Sequence, residues 1–487
     1  MEFDASEVPF DLMRLAVLNV VGLTRGLIGE HTPRIARYLK AHPSSAIDPA
    51  FPAVTCTAQS NYLTGKTPST HGIVGNGWYH RELSEVQFWK QSNHLVTAPK
   101  IWEELRTQVP NFTCAKLFWW YNMYSSADFS ITPRPIYPAD GRKVFDVYTW
   151  PYDLRPAIKS ELGDFPFATF WGPAAGKSSP QGPPDAASRW IGNSARWIET
   201  KHSPTLSLVY LPHLDYNLQR FGPYPVGAQP TQTRAEIAKD LLAIDQLVGE
   251  LLDFYAERNV RVIILSEYGI TPVDQPIHIN RILREAGWVT VKEELGLEIL
   301  DPGNSKAFAV ADHQVAHVYI NDLTQRSNIL SFLRRTPGIV EVLDESMKAA
   351  RGVAHSRSGE LIAVAAENAW VTYSYWLKDE LAPDFARCVD IHRKPGYDPV
   401  ELFLDPEIPA VQLKIAFRLL QKKLGFRMLM DVIPLKAPMV GGSHGGRPTS
   451  KLDWPICIGP GVGSASEMDS TDVYALLKKM LVNLERG

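Results

Sequence analysis

The stretch from Phe51 to Tyr79 carries the residue types most able to do chemistry. Its first fifteen residues are uncharged, and the whole stretch is rich in hydroxyls and glycines around Thr55 and Asn76. Segments of this kind commonly present hydroxyls and backbone N–H groups to an oxyanion. A purely structural interpretation, with a buried strand, a helix beginning at Ser60 and a glycine loop, fits the same residues.

Two motifs in this stretch carry a resemblance. FPAVT ends at Thr55, a Thr-Gly pair ends ten residues later at Gly65, and the run HGIVGN ends at Asn76. They resemble the nucleophile region of the alkaline phosphatase superfamily, in particular its nucleotide pyrophosphatase/phosphodiesterase and phosphonoacetate hydrolase branch. The resemblance implies that Thr55 attacks phosphorus and that Asn76 contacts a phosphoryl oxygen.

The same resemblance implies one metal ion held by Asn19, Thr55, Glu267 and Tyr268. Asn19 precedes Thr55 by 36 residues (55 − 19), the spacing at which the family has a ligating Asp. In an alternative alignment, shifted by two residues, Val21 stands at the position of the family's ligating Asp, and this metal ligand is lost. The sequence Ser266 to Gly269 (SEYG) stands where the family has Ser-Asp-His-Gly, so Glu267 keeps a carboxylate and Tyr268 replaces a His.

A second ion is implied at Asp215, Gln219 and His444. Asp215 and Gln219 follow the apolar strand-like segment 206–211 and stand where the family has Asp and then His four residues on. Residues four apart on one helical turn can converge on a single ion. His444 lies in the glycine-rich run VGGSHGGRP, which resembles the family's last metal-binding loop.

Neutral oxygen donors replace three usual ligands of the family, at Asn19, Gln219 and Tyr268. His ligands suit Zn, whereas carboxylate, carbonyl and hydroxyl oxygens suit Mg, Mn or Ca. We therefore expect one or two divalent ions per chain, Zn, Mn or Mg, bound more weakly because the carboxylate charge is reduced. The resemblance predicts a metal-dependent hydrolase of a phosphate ester, phosphodiester or phosphonate. The alternative is a metal-poor relative with lyase or transferase chemistry, or one that only binds a ligand. A sulfatase is disfavoured because Cys56 lacks the Cys/Ser-x-Pro-x-Arg pattern.

Composition limits the partners. Lys and Arg number 50 against 53 Asp and Glu, a net charge of −3, which argues against a nucleic-acid-binding face. The four cysteines are widely spaced and predict buried thiols, and neither a signal peptide nor an 18-residue apolar run is visible. We therefore expect a cytoplasmic protein with a small anionic substrate and no nucleic-acid or membrane partner. The oligomeric state stays open, a homodimer included.

The motifs come directly after apolar segments of the chain, and these segments predict the fold. Segments 15–21, 113–119, 206–211 and 260–265 are typical of buried strands, and 234–258 and 471–484 of amphipathic helices. We expect a three-layer α/β/α sandwich around a mostly parallel sheet, with the site at its carboxyl edge. The predicted core is 1–290 with 431–487, and a smaller inserted α+β lobe spans 291–430, with strands predicted at 316–320, 359–366 and 370–376.

The lobe offers candidates of its own. Asp312, His313, His317, Asp390 and His392 can form a separate site or contact substrate, and an ordinary structural role is the competing interpretation. The aromatic clusters at 118–124 and 370–376 are explained by core packing or by a wall around an organic substrate.

Overall fold

A computed structural model of the chain describes residues 13–140, 142–463 and 465–482. Its strands are, in chain order, β1 (Leu15–Val20), β2 (Ser44–Asp48), β3 (Gly77–His80), β4 (Glu85–Phe88), β5 (Cys114–Leu117), β6 (Phe129–Pro133), β7 (Val147–Trp150), β8 (Leu206–Leu211), β9 (Arg261–Leu265), β10 (Thr271–Pro272), β11 (Gln275–Ile277), β12 (Val291–Glu294), β13 (Leu297–Leu300), β14 (Ala307–Asp312), β15 (Val315–Ile320), β16 (Ile339–Leu343), β17 (Leu361–Ala365), β18 (Ala369–Val371), β19 (Gly442–Ser443), β20 (Ile456–Ile458) and β21 (Glu467–Asp469).

The α-helices are α1 (Pro33–Ala41), α2 (Thr55–Thr64), α3 (Pro68–His71), α4 (Ile101–Leu105), α5 (Leu154–Leu162), α6 (Ala186–His202), α7 (His213–Phe221), α8 (Ala235–Ala256), α9 (Ile279–Glu285), α10 (Arg326–Leu333), α11 (Glu345–Ala350), α12 (Val411–Lys423) and α13 (Asp472–Leu481).

Nine strands form the central sheet, in the order β21-β2-β20-β9-β1-β8-β5-β6-β7. The pairings β9–β1, β1–β8, β8–β5 and β5–β6 are parallel, whereas β20 and β7 pair antiparallel with their neighbours. Every residue of β1, β5 and β8 is buried, as expected for strands covered on both faces. The predicted α/β fold with a large, mostly parallel sheet is confirmed.

Most of the strongly periodic segments form the predicted elements. The segment 206–211 is β8, 260–265 contains β9, and the helix expected over 234–258 is α8. The last helix, α13, ends at Leu481, and the last two positions of its predicted range, 483 and 484, lie outside the described residues. All four cysteines are free and buried, as predicted.

Two local predictions are wrong. The helix after the FPAVT motif begins at Thr55, not at Ser60, because Val54 is extended and the helical backbone starts directly after it. Of the segment 370–376, only the part within β18 is a strand. The parallel partner strand β11 ends at Ile277, and the last bond to it comes from the Thr372 N–H, 2.9 Å from the Ile277 carbonyl.

A second, smaller sheet stands apart from the central one. Its order is β14-β15-β17-β16, all antiparallel, and it packs with α9 and α10 around a separate apolar core. The domain limits at 290 and 430 stay a prediction. Within the described part of the chain, no helix has the length and apolar character needed to cross a membrane.

Candidate active site

Thr55 is the first residue of α2 and lies where three neighbouring parallel strands end. Asn19 is near the end of β1, Asp215 follows β8, and Glu267 follows β9. The Thr55 hydroxyl lies 3.2 Å from the hydroxyl of Tyr268. The carboxyl edge of the sheet therefore brings the residues singled out in the sequence to one place.

Glu267 accepts hydrogen bonds from two amides. Its Oε1 is 2.5 Å from Asn19 Nδ2 and 2.5 Å from Gln59 Nε2. Burial raises the pKa of Glu267 to about 8, although the bonds from Gln59, Asn19 and Thr55 favour the ionised form. Glu267 Oε2 and Asn19 Oδ1 are buried without a hydrogen-bond partner among the residues described. A proton on Oε2 would let the acid and the amide pair through two hydrogen bonds.

Asp215 has both carboxylate oxygens occupied by neutral donors. Oδ1 accepts from the Tyr268 hydroxyl at 3.2 Å, and Oδ2 accepts from Gln219 Nε2 at 2.9 Å. Gln219 Oε1 in turn accepts from the Tyr397 hydroxyl at 2.7 Å. Burial raises the pKa of Asp215 to about 7, while the bonds from Gln219 and Tyr268 lower it. Asp215 and Gln219, which were expected to bind one ion together, are therefore hydrogen-bonded to each other.

Asn76 links the nucleophile helix to the smaller sheet. Its Oδ1 accepts from the backbone N–H of Cys56 at 3.0 Å. Its backbone N–H and its Nδ2 donate to the two oxygens of Asp312, at 2.7 and 3.1 Å. Burial raises the pKa of Asp312, at the end of β14, to about 6. Asn76 is thus held next to Thr55 by the first turn of α2 and by the end of β14.

Four aromatic rings, called here the ring stack, fill the space between the two sheets. Tyr268 lies parallel to His444 with ring centroids 3.5 Å apart, His444 lies 3.7 Å from His313, and His313 lies 3.6 Å from Tyr397. All four rings are buried, and burial lowers the pKa of both histidines well below its usual value. The histidines are therefore neutral at pH 7.

The segment 389–399, which carries Tyr397, closes the site. It is held by Lys394, whose buried Nζ lies 2.8 Å from Asp398 and 2.7 Å from Glu401. Thr55 is only 4% exposed, so a substrate has no open path to its hydroxyl in this conformation. The space nearest to Tyr397 is a cavity of about 10 Å³, room for about one water molecule, lined in part by Trp89, Trp171 and Lys394.

We expect Tyr397→Ala to open the site. The change removes one ring of the ring stack and the hydroxyl that donates to Gln219, so kcat/KM for a small activated phosphodiester should rise, roughly tenfold if access limits turnover. The truncation of a buried aromatic ring should also lower the free energy of unfolding by about 3–5 kcal/mol. Steady-state kinetics measure the change in kcat/KM, and thermal unfolding measures the loss of stability.

The control is Tyr375→Ala, which truncates a fully buried tyrosine whose hydroxyl donates to the Glu298 carbonyl in the lobe. It should lose stability without gaining turnover. If kcat/KM fell in Tyr397→Ala but not in Tyr375→Ala, Tyr397 would take part in catalysis instead of blocking access.

The sequence profile of the Type I phosphodiesterase / nucleotide pyrophosphatase family matches residues 15–398. That match covers well over half of the chain. The chain belongs to this family. The predicted resemblance, and the prediction of a phosphodiesterase-like or nucleotide-pyrophosphatase-like hydrolase, are confirmed at the level of the family.

One relative of the chain is distant in sequence. An uncharacterized pyrophosphatase/phosphodiesterase of Schizosaccharomyces pombe is 22% identical over 244 residues, which cover 48% of this chain and 39% of that protein. The chain thus spans about two fifths of the length of this relative.

Solved structures share the fold. Phosphonoacetate hydrolase from Sinorhizobium meliloti, in complex with phosphonoformate, superimposes with a TM-score of 0.58 at 13% identity, covering 97% of this chain and 96% of the hydrolase. An inactive variant of murine ectonucleotide pyrophosphatase/phosphodiesterase 5, in complex with AMP, gives 0.56 at 14% identity, covering 96% and 95%. The shared α/β architecture therefore extends over nearly the full length of the chain.

The two-ion site that the family resemblance implies does not fit the donors found here. The oxygens of Asp215 are taken by Tyr268 and Gln219, and Glu267 Oε1 is taken by two amide groups. Only His444 on the Asp215 side keeps a free ligand atom, since its Nδ1 lies 2.7 Å from the Ala53 carbonyl and its Nε2 is unpaired within the described residues. In residues 13–140, 142–463 and 465–482, no group of three or more His, Cys, Asp or Glu is placed to hold a metal ion.

The lobe candidates separate into two groups. Asp312 and His313 join the site around Thr55, where Asp312 Oδ1 lies 2.8 Å from His313 Nδ1. His317 bonds instead to the Val74 carbonyl, and His392 to the Phe88 carbonyl. The Asp390 carboxylate lies 3.9 Å from Arg393, so the five residues have different partners and do not form one separate site.

Gln59 and Tyr397 belong to the site but were not singled out in the sequence. Gln59 is four residues after Thr55, so once α2 is known to begin at Thr55 the two side chains fall on one helical face. Its Oε1 also accepts from the backbone N–H of Trp120 at 2.7 Å. Tyr397 lies five residues after the candidate His392, but no periodicity in this segment indicates that its ring stacks on His313.

Proposed function

We propose that the chain hydrolyses a phosphate ester, phosphodiester or phosphonate with Thr55 Oγ1 as the nucleophile. The observation that carries the proposal is the position of this hydroxyl, at the start of α2 between the Tyr268 hydroxyl and the Glu267 carboxyl group. Threonine is a weak nucleophile unless a neighbouring group takes its proton. Glu267 is the group best placed to do so.

The reaction proceeds in two displacements. Thr55 Oγ1 forms a bond to phosphorus as its proton passes to Glu267, and the bond from phosphorus to the leaving group breaks with the electron pair leaving on that group. Water then attacks the phosphorus atom, and the bond from phosphorus to Thr55 Oγ1 breaks as this oxygen takes back the proton held by Glu267. The product is phosphate or a phosphate monoester, and the proton that the water loses passes to the released leaving group or to the solvent. The positive end of the α2 dipole favours the negative charge that develops during both displacements.

Asn76 keeps its proposed role next to the phosphoryl group. Its Nδ2 uses one hydrogen for Asp312, and an amide nitrogen carries two. The second hydrogen is available to a phosphoryl oxygen bound beside Thr55. Because Asp312 and Cys56 fix the amide from both sides, this donor is preorganised.

We expect kcat/KM to rise with pH and to level off near pH 8. Glu267 can accept the Thr55 proton only when it is ionised, and burial raises its pKa to about 8. Below that pH kcat/KM should fall about tenfold per pH unit, which gives the pH–rate profile an acidic limb. Glu267→Gln should remove this acidic limb and lower kcat/KM by about 10²–10⁴-fold. A pH–rate profile of both forms measures the effect.

Asp453→Asn is the control for this profile. Burial raises the pKa of Asp453 to about 6 as well, but its carboxyl group bonds to the Tyr224 hydroxyl, away from Thr55. The variant should keep the limb near pH 8. An unchanged limb in Glu267→Gln would exclude Glu267 as the base.

We infer that the number of resident ions is one at most, instead of the pair implied by the family. The unpaired oxygens Asn19 Oδ1 and Glu267 Oε2, together with the Thr55 hydroxyl, are ligands of the kind that Mg or Mn takes. An ion held there would supply a Lewis acid next to the phosphoryl group. Elemental analysis after dialysis against Zn, Mn or Mg tests the number.

Ligand binding without hydrolysis is the second candidate function. It is favoured by the neutral donors on both carboxylates and by the closed ring stack. A screen with 4-nitrophenyl phosphate, bis(4-nitrophenyl) phosphate and phosphonoacetate separates the two candidates. Turnover that depends on Thr55 supports the hydrolase, whereas saturable binding of these anions without product formation supports the second candidate.

A further inference from the structure

The helix α12 turns its apolar side to the solvent. Leu413 is 72% exposed, Phe417 58%, Leu420 51%, and Leu424, directly after the helix, 65%. These residues recur at the spacing of one helical face. No residue of α12 is fully buried, and Val411 and Ile415 pack, partly buried, against a small apolar cluster that includes Trp370 and Ile433.

The inner side of α12 combines these two aliphatic side chains with basic ones. Lys414 Nζ lies 2.8 Å from Asp431, and Arg418 lies 3.2 Å from the same carboxylate. The apolar contacts and the two ion pairs hold the helix on the protein, while a second apolar face points outward. We call the face formed by Leu413, Phe417, Leu420 and Leu424 the apolar helix face.

The charge around the apolar helix face is mainly positive, although Asp431 pairs with Lys414 and Arg418 and Asp140 lies near Arg427. Residues 408–430 contain no Asp or Glu and five basic residues, which are Lys414, Arg418, Lys422, Lys423 and Arg427. The last three of them make no ion pair with a carboxylate in the part of the chain that the structure describes. A chain with a net charge of −3 thus carries a locally basic and apolar surface.

An exposed loop extends this surface. Tyr137 is 56% exposed and Phe145 44%, and the Lys422 ammonium lies 5.7 Å from the Phe145 ring. Ile136 and Val144, which pair as a short antiparallel bridge, are each 41% exposed. Aromatic rings and lysines flanking aliphatic side chains are the composition of a helix that lies in a membrane interface.

We propose that α12 and the adjacent loop bind the surface of an anionic lipid bilayer, with the apolar helix face inserted among the lipids. A second copy of the chain fits this surface less well, because a two-fold interface would set the same basic residues against each other. An anionic surface is complementary to both the charge and the apolar side chains. The expectation of no membrane partner rested on the lack of a spanning segment, a criterion that does not apply to a helix lying on a membrane surface.

The experiment is sedimentation of the full chain with vesicles. We expect binding to vesicles that contain phosphatidylglycerol, little binding to pure phosphatidylcholine, and weaker binding when the salt is raised from about 0.1 M to about 1 M. The double variant Phe417→Glu/Leu420→Glu should lower the vesicle partition coefficient at least about tenfold. The double variant Lys422→Gln/Lys423→Gln should lower it for anionic vesicles only.

The matched control is Leu323→Glu/Val340→Glu. These side chains are 65% and 67% exposed in the lobe, so the control makes the same change at a similar exposure. It should bind vesicles as the wild type does, and circular dichroism should be the same for all variants because every substituted side chain is on the surface.

Three outcomes would overturn the proposal. They are the lack of vesicle binding by the wild type, equal binding by Phe417→Glu/Leu420→Glu, and a wild-type dimer in light scattering that this double variant dissociates. The last result would assign the apolar helix face to contact between copies of the chain.

Discussion

Thr55→Ala should lower kcat/KM for bis(4-nitrophenyl) phosphate by about 10³-fold or more, the loss typical of removing a covalent nucleophile. The alanine keeps the start of α2 but offers no oxygen to phosphorus. Thr55→Ser should stay within roughly tenfold of the wild type, because the serine hydroxyl occupies the same place between Tyr268 and Glu267. Steady-state kinetics of the three forms measure the series.

Thr57→Ala is the control for this prediction. Thr57 lies two residues further along α2, is equally buried, and donates its hydroxyl to the Ile73 carbonyl at 3.2 Å. Its loss should affect stability by about 1 kcal/mol and leave the chemistry intact. Turnover that survives in Thr55→Ala, or a trapped phosphoryl group on a peptide without Thr55, would place the nucleophile elsewhere.

The parts of the site that follow parallel strands were accessible from the sequence. Asn19, Asp215 and Glu267 each come at or after the end of an apolar segment, and such ends meet at one edge of a parallel sheet. The structure brings all three to Thr55, as expected. Strand ends were readable because strands buried on both faces are apolar along their whole length.

The contribution of the lobe was not accessible in the same way. Asp312 and His313 were noticed as polar residues next to a strand, but which sheet they face depends on how the two sheets pack. His313 adopts a left-handed conformation, with φ of 62°, at the turn between β14 and β15, which directs the chain back towards His444. No periodicity in the sequence encodes that turn or the stacking of His313 on Tyr397.

The replacements at Asn19, Gln219 and Tyr268 act together in the structure. Each puts a hydrogen-bond donor on a carboxylate that the family resemblance would assign to a cation. The sequence showed that ligands had changed, but it did not show that the new side chains point their N–H and O–H groups at Asp215 and Glu267. Without a cation, burial dominates, and the pKa values of Asp215 and Glu267 rise to about 7 and about 8.

The triple variant Asn19→Asp, Gln219→His and Tyr268→His should therefore gain zinc. It exchanges three neutral donors for the ligand types of the family and leaves Asp215, Glu267 and His444 in place. We expect near two zinc ions per chain in elemental analysis, against one at most in the wild type, because His and carboxylate ligands favour zinc.

The metal-free triple variant should be less stable than the wild type, since it loses hydrogen bonds to two buried carboxylates and sets a new carboxylate against that of Glu267. Zinc at about 100 times its dissociation constant should return roughly 2.7 kcal/mol per site. Thermal unfolding with and without zinc checks this linkage independently of any activity. Wild-type protein should show no comparable shift.

A second triple variant, Asn19→Ala, Gln219→Ala and Tyr268→Phe, separates loss of donors from gain of ligands. It removes the same hydrogen bonds without adding ligands, so it should lose stability and take up no zinc. Uptake of two zinc ions by the wild type or by this control would show that Asp215, Glu267 and His444 suffice to bind the pair. The hydrogen bonds to the two carboxylates would then be a feature of the metal-free protein alone.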